Sequence, residues 1–172
     1  MIILGIETSC DETALALIEV EGDSVRVLAN ITHSQAALHA KYGGVFPNLA
    51  KREHAKNLIP LLKTILAQSG LLNLKIKNQN EKSQFRIKIG EKTNPGGYSD
   101  VLENIRIDKT REPELWEAFE KFVPTIEKPP IDAIAVTFGP GLEPALWVGI
   151  NFAKALNAVW DIPVIPVNHM EG

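Results

Sequence analysis

Residues 131–167 read IDAIAVTFGPGLEPALWVGINFAKALNAVWDIPVIPV. The run 131–138 is apolar, with Pro129-Pro130 before it and Gly139-Pro140-Gly141 after it. An unbroken apolar run between turn residues predicts a buried strand. In residues 142–160, Leu146, Ile150, Ala153 and Leu156 share one helical face, with Val148, Phe152 and Val159 beside it. That pattern predicts a mostly buried helix. Residues 162–167 predict another strand. Strand, helix and strand with short connections form a βαβ unit, so the two strands are expected to be parallel with a right-handed crossover.

Working outward, three strand signals open the chain at residues 2–6, 14–20 and 25–31, the last two joined by the turn Glu21-Gly22-Asp23-Ser24. Short links between them predict an antiparallel meander. Residues 48–69 predict a helix, with Asn48 as N-cap, Leu58, Leu62, Ile65 and Leu66 at helical spacing, and Gly70 as terminator. Pro60 is expected to bend or split it. The order β-β-β-α-β-α-β predicts an α/β lobe, a mixed sheet flanked by helices.

The stretch 71–128 interrupts that order. It holds 11 of the 18 Lys and Arg residues, nearly balanced by acids, and Asn94-Pro95-Gly96-Gly97 marks a strong turn. Within it, Leu115, Phe119, Phe122 and Val123 line one side of a short helix over 114–123, which is expected to dock on the lobe itself. The chain thus reads as one lobe over 1–172 carrying an insertion at 71–128, peripheral to any site.

Composition sets outer bounds. With 45% hydrophobic and 23% charged residues, the chain is an ordinary globular sequence. A net charge of -3 gives no global pull on nucleic acid, so RNA contact would need a local patch. Cys10 is the single cysteine and forms no intrachain disulfide. No apolar run approaches the ~20 residues of a membrane helix, and no basic leader precedes the first strand. A cytoplasmic location is the resulting expectation.

Three constellations could carry chemistry. The first, GIETSCDET at residues 5–13, gathers Glu7, Asp11, Glu12, Thr8, Ser9 and Thr13 in one turn. Such a turn can offer hydroxyls and N–H groups to phosphate and carboxylates to Mg²⁺; the same composition also describes an ordinary polar hairpin. The second, Gly139-Pro140-Gly141-Leu142, joins a strand to a helix N-terminus, where backbone can approach an anion closely; an ordinary strand-to-helix loop looks alike. The third, Asn168-His169-Met170-Glu171-Gly172, follows the end of a parallel strand, where α/β sheets place ligands, and His169 could bind a metal. His33, His39 and His54 match no metal spacing and are expected to be surface or capping residues. Trp116, Trp147 and Trp160 are too dispersed to form a base-stacking platform.

These three stretches occur in the order of one family. GIETSCDET resembles the N-terminal signature of the bacterial and mitochondrial branch of the TsaD family of tRNA threonylcarbamoyladenosine transferases. HAKYGGVFPNLAKREH, residues 39–54, resembles the family's H-x-x-YGGV-x-P-E-x-A-x-R-x-H block. Residues 131–172 resemble its GPGL segment and the start of its HMEGH metal motif. Together they cover roughly two-thirds of the chain.

The resemblance implies a lobe of the actin-like ATPase fold, one of two that clamp a nucleotide. It implies transfer of a threonylcarbamoyl group from threonylcarbamoyl-AMP to the adenosine 3′ of the anticodon. It implies Asp11 and Glu12 as catalytic acids, Thr8, Ser9, Gly139, Pro140 and Gly141 at the nucleotide, and His169 as a ligand to one divalent metal, Fe²⁺ with Zn²⁺ or Mg²⁺ as alternatives. The partners it implies are a TsaB-like paralogue joined through the N-terminal lobes, a TsaE-like ATPase, and tRNA as substrate. A non-catalytic TsaB-like dimerisation partner and a small-molecule kinase of the same superfamily are the alternatives, and the His169 motif argues against both. The sequence departs from the pattern in three ways. Asn48 stands where the family has Glu. The stretch 71–128 replaces a short loop. The second histidine and the second lobe are absent from this chain.

Overall fold

The computed structural model describes residues 1–74 and 112–171. Strands β1 (Ile2–Glu7), β2 (Glu12–Glu21) and β3 (Ser24–Ser34) form the expected meander. A short helix α1 (Ala36–His39) and a 3₁₀ turn at Ala40–Tyr42 follow, unforeseen in the sequence. Helix α2 (Pro47–Gln68), helix α3 (Pro113–Phe122), β4 (Ala133–Gly139), helix α4 (Glu143–Trp160) and β5 (Val164–Asn168) complete the lobe.

The sheet order is β3-β2-β1-β4-β5. β1 pairs antiparallel with β2 and parallel with β4, and β4 pairs parallel with β5. The sheet is mixed, and β1 is its centre. Strand alternation assigns the two faces. Leu4 and Ile6 of β1, Leu15 and Leu17 of β2, and Ile134 and Val136 of β4 join one core with residues of α2, α3 and α4. The alternate positions Gly5, Glu7, Ala14, Ala16, Ala135 and Thr137 face the other way.

The N-cap of helix α2 lies two residues earlier than expected, at Phe46 instead of Asn48. Phe46 is its N-cap residue and Pro47 opens the first turn; Pro suits that position because its missing N–H would lack a helical partner there anyway. Asn48 is therefore inside the helix, not its cap. Pro60 does not split the helix, which runs unbroken to Gln68. The end is a Schellman motif: Gly70 has φ +73, its N–H reaches Ala67 O, and Leu71 N–H reaches Leu66 O at 2.9 Å. Leu58, Leu62, Ile65 and Leu66 are fully buried, while Lys56, Pro60, Lys63 and Thr64 face solvent.

The described parts of 71–128 are bound into the lobe. Leu115, Trp116 and Phe119 of α3 are buried in the common core, and Phe119 meets the Phe152 ring edge-on at 6.2 Å. The helix docks on the lobe, as its apolar stripe predicted, so the apolar face of 112–126 belongs to the core. Leu74 bridges Ile126, and Glu127 N–H reaches Asn73 O at 2.8 Å. The turn at Asn94-Pro95-Gly96-Gly97 lies outside the described residues. No helix among the described residues is long and apolar enough to cross a membrane.

Candidate functional site

The parallel pairing of β1, β4 and β5 brings their carboxyl ends side by side. All three constellations meet there. A groove of about 320 Å³ opens on the sheet face away from the helices, lined by Gly5, Glu7, Ala14, Ala16, Ala135, Thr137 and, from β5 onward, Val167, Asn168 and His169 among others. Small residues on adjacent strands, Gly5 opposite both Ala16 and Ala135, make its floor concave.

The turn after β1 is clamped onto the β4–α4 loop. Thr8 and Ser9 are both buried. The Thr8 hydroxyl donates to Ala145 O in the first turn of α4 at 2.9 Å, and Leu142 N–H donates to Ser9 O at 2.7 Å. Two glycines permit this approach. A Cβ on Gly141 would stand 2.6 Å from Ser9 O, and one on Gly149 would collide with the Thr8 hydroxyl. Gly141 is thus explained by close packing of two loops. Gly139 and Pro140, joined by a cis peptide, lead into the same contact, and Gly139 O accepts from His169 N–H at 2.8 Å.

The acid that reaches the groove is Glu7. The sequence places Glu7 in the turn, while the family resemblance implies catalytic roles for Asp11 and Glu12. Asp11 is half-buried beyond the bend, where its carbonyl accepts from Gln35 N–H at 2.8 Å, and Glu12 is exposed at the start of β2. Neither lines the groove. Glu7 accepts from the Ser9 N–H and from the Thr137 hydroxyl, and its Oε2 stands 3.3 Å from His169 Nδ1. Burial works to raise its pKa, but the hydrogen bonds from Ser9, Thr137 and His169 outweigh it and hold the carboxyl below its ordinary value. The Ser9 hydroxyl also lies 3.3 Å from His169 Nδ1. The clue to Glu7 in the sequence was its period: it follows Leu4 and Ile6 at the end of an apolar strand, on the opposite face.

His39 and His54 are corrections. Both were expected at the surface or as caps, and both are buried. His54 Nε2 donates to Cys10 O at 3.1 Å, which leaves Nδ1 to accept from the Thr13 hydroxyl at 2.7 Å and from the Gln35 side-chain amide at 3.3 Å. The Gln35 Oε1 accepts from His39 Nε2 at 3.0 Å, and His39 Nδ1 accepts from Phe46 N–H at 3.3 Å. Burial pulls the His54 pKa below the usual histidine range, although the Cys10 carbonyl works against that. This chain of bonds ties the start of α2 to the turn at Cys10. The Cys10 thiol is pushed up, first by desolvation and then by Asp11, so it is not an activated nucleophile. Trp116 and Trp160 are buried in the core and offer no stacking platform.

Among the described residues no group of three His, Cys, Asp or Glu side chains could by itself hold a metal. His169, half-exposed in the groove with a carboxylate on Nδ1, fits one ligand of a larger set.

Comparison with known proteins supplies the family. Curated relatives include the tRNA N6-adenosine threonylcarbamoyltransferase of Thermomicrobium roseum, 40% identical over 172 residues, covering 100% of this chain and 31% of that protein. The enzyme of the same description from Burkholderia pseudomallei strain 1106a is 36% identical over the same residues, which make up 33% of its length. The chain spans about a third of the length of these relatives. Among solved structures, YeaZ from Pseudomonas aeruginosa covers 97% of this chain and 43% of its own, at 16% identity and a TM-score of 0.46. The family model described as TsaD, tRNA N6-adenosine threonylcarbamoyltransferase, matches residues 26–78 and 113–172, resuming where α3 begins; the chain belongs to the TsaD family.

Proposed function

We propose that this chain is the N-terminal part of a tRNA N6-adenosine threonylcarbamoyltransferase, and that its groove holds the donor, threonylcarbamoyl-AMP. The observation that supports this is the convergence of the three family stretches at one end of the sheet: Glu7 and Ser9, the Gly139–Leu142 loop, and His169 lie within one network. The reaction is attack by the adenosine N6 amine on the carbamoyl carbonyl, with AMP leaving. It needs positioning and stabilisation of developing negative charge, with no covalent enzyme intermediate.

In this reading His169 is one ligand of a divalent ion, Fe²⁺ or alternatively Zn²⁺ or Mg²⁺, completed by residues outside this chain. When bound, the ion supplies positive charge against the donor's oxygens. Glu7 holds His169, Thr8 and Ser9 hold the turn against the Gly139–Leu142 loop, and Asp11 and Glu12, outside the groove lining, are assigned to contacts with the second lobe or the tRNA. The lobe is of the actin-like ATPase type, works in the cytoplasm, and pairs through its own face with a TsaB-like paralogue, with a TsaE-like ATPase as further partner. The insertion is proposed to be narrower than 71–128 and to fall within 79–112, the part that the family match skips.

The test is a chimera joining this chain to the remaining two-thirds of the Thermomicrobium roseum relative, assayed for modified adenosine in tRNA with the partner proteins. Modification by the chimera, its loss in His169→Ala, and none from this chain alone are the expected results. A folded chimera without activity would sink the proposal.

A further inference from the structure

The site network leaves one question about His169: which ring nitrogen faces a ligand. A neutral imidazole carries its proton on one nitrogen and a lone pair on the other, and the neighbours decide which. His169 Nδ1 has two polar neighbours, Glu7 Oε2 at 3.3 Å and Ser9 Oγ at 3.3 Å.

Glu7 is itself fixed on both oxygens. Oε1 accepts the Ser9 N–H and Oε2 accepts the Thr137 hydroxyl. An ionised carboxylate is an acceptor only. It can face Nδ1 favourably only if Nδ1 carries the hydrogen. The backbone enforces the meeting. Register pairs Ile6 with Val136, which sets Glu7 beside Thr137, and pairs Gly139 with Asn168, which sets His169 at the end of β5. The backbone N–H of His169 is then pinned to Gly139 O at 2.8 Å. Three strands therefore hold a carboxylate against one chosen nitrogen of one ring.

We infer that Glu7 is a positioning residue that fixes His169 as the Nδ1–H tautomer and leaves Nε2 as the nitrogen offered to a ligand in the groove. This rests on the reading of His169 as a ligand. A histidine that donates its other N–H to a carboxylate is oriented and made more basic, and loss of such a carboxylate lowers metal affinity by about 10–100-fold. Ser9 takes a supporting place: its N–H steadies Glu7, and its hydroxyl oxygen shares the Nδ1 hydrogen.

The experiment uses this chain labelled with ¹⁵N. Long-range ¹H–¹⁵N correlation at a pH where His169 is neutral reads the tautomer directly. The expected wild-type pattern is protonated Nδ1 and bare Nε2. Glu7→Ala is expected to lose that excess, and a wild-type spectrum dominated by Nε2–H overturns the inference whether or not the variant folds. Zn²⁺ titration gives the second reading. Zn²⁺ is expected to shift Nε2 of His169, with Glu7→Ala weakening the response about 10–100-fold and His169→Ala abolishing it. An Nδ1–H tautomer with equal Zn²⁺ affinity in Glu7→Ala counts against Glu7 as a positioning residue. The Nδ1–H tautomer with no Zn²⁺ response at His169 in wild type fails the ligand reading instead, and leaves the fixing of the tautomer by Glu7 in place.

Discussion

Gly141 and Gly149 hold the turn at Thr8 and Ser9 from two sides, and the two contacts differ in kind. Gly141 meets Ser9 backbone, which cannot move without disturbing β1, whereas Gly149 meets the Thr8 side chain. Gly141→Ala is therefore expected to destabilise by about 1–3 kcal/mol, the usual cost of overpacking, as measured by urea unfolding. Gly149→Ala is expected to displace the Thr8 hydroxyl from Ala145 O. Combining it with Thr8→Ala should recover part of the loss, giving a coupling energy of about 0.5 kcal/mol or more in a double-mutant cycle; strict additivity would refute the contact. His54 gives a pH signature. Burial lowers its pKa in the folded chain, so the unfolded chain takes the proton more readily. The stability it confers is complete above the ordinary histidine pKa of about 6.5 and is lost as pH falls below it. Unfolding midpoints measured from pH 7.5 down to 5 are expected to fall, and His54→Gln should flatten that slope. At this scale the sequence was least legible. Glu7 finds His169 across 162 residues, and His54 finds Cys10 across 44; no local pattern announces either pair.

Elements were far easier to read, because their signals are periodic. The five strands and the two long helices follow from apolar spacing and from turn residues, the antiparallel meander of β1–β3 follows from their short links, and the parallel pairing of β4 with β5 follows from the βαβ connection. What was misread was chain-end chemistry. Asn48 looked like a cap because its side chain suits the role, but Pro47 suits the first turn better and moved the cap to Phe46. Pro60 looked like a break. It sits on the solvent side of α2, while four leucine and isoleucine residues flanking it are buried without remainder, and packing of that stripe overrides one missing hydrogen bond. Pro60→Ala is accordingly expected to raise stability. An interior proline costs about 3 kcal/mol relative to alanine, offset in part by its stiffening of the unfolded chain, about 1 kcal/mol or less. A thermal melt that shifts downward would contradict this account. Helix α3 carries the opposite expectation. Phe119→Ala should cost about 3–5 kcal/mol, because its ring lies in the core against Phe152; a loss under 1 kcal/mol in denaturant unfolding would place α3 outside the core.

Among the described residues, the sheet and the core are drawn from 1–74 and 112–171, and these flanks are joined by the Leu74–Ile126 bridge. Replacing 75–111 by a short Gly/Ser bridge is expected to preserve a single cooperative melt, since loop length changes closure entropy by only about 0.6 kcal/mol per doubling. A broadened or absent transition would show that the segment is needed for the fold. The lobe's order was legible in the sequence; the depth of α3 within it was not, since a short amphipathic helix looks the same whether it docks on its own lobe or elsewhere.

The position of β1 has a temporal consequence. It is the central strand of the sheet, and of its two neighbours one, β2, follows it at once while the other, β4, begins its ladder at Ala133 opposite Ile3. At synthesis rates of about 5–20 residues per second, β1 waits on the order of ten seconds with β2 on one side and without β4 on the other. During that interval the nascent meander presents an open hydrogen-bonding edge beside Leu4 and Ile6, the kind of edge that invites wrong pairing. The interposed residues lengthen the wait, and the ribosome-bound chain is where their cost falls.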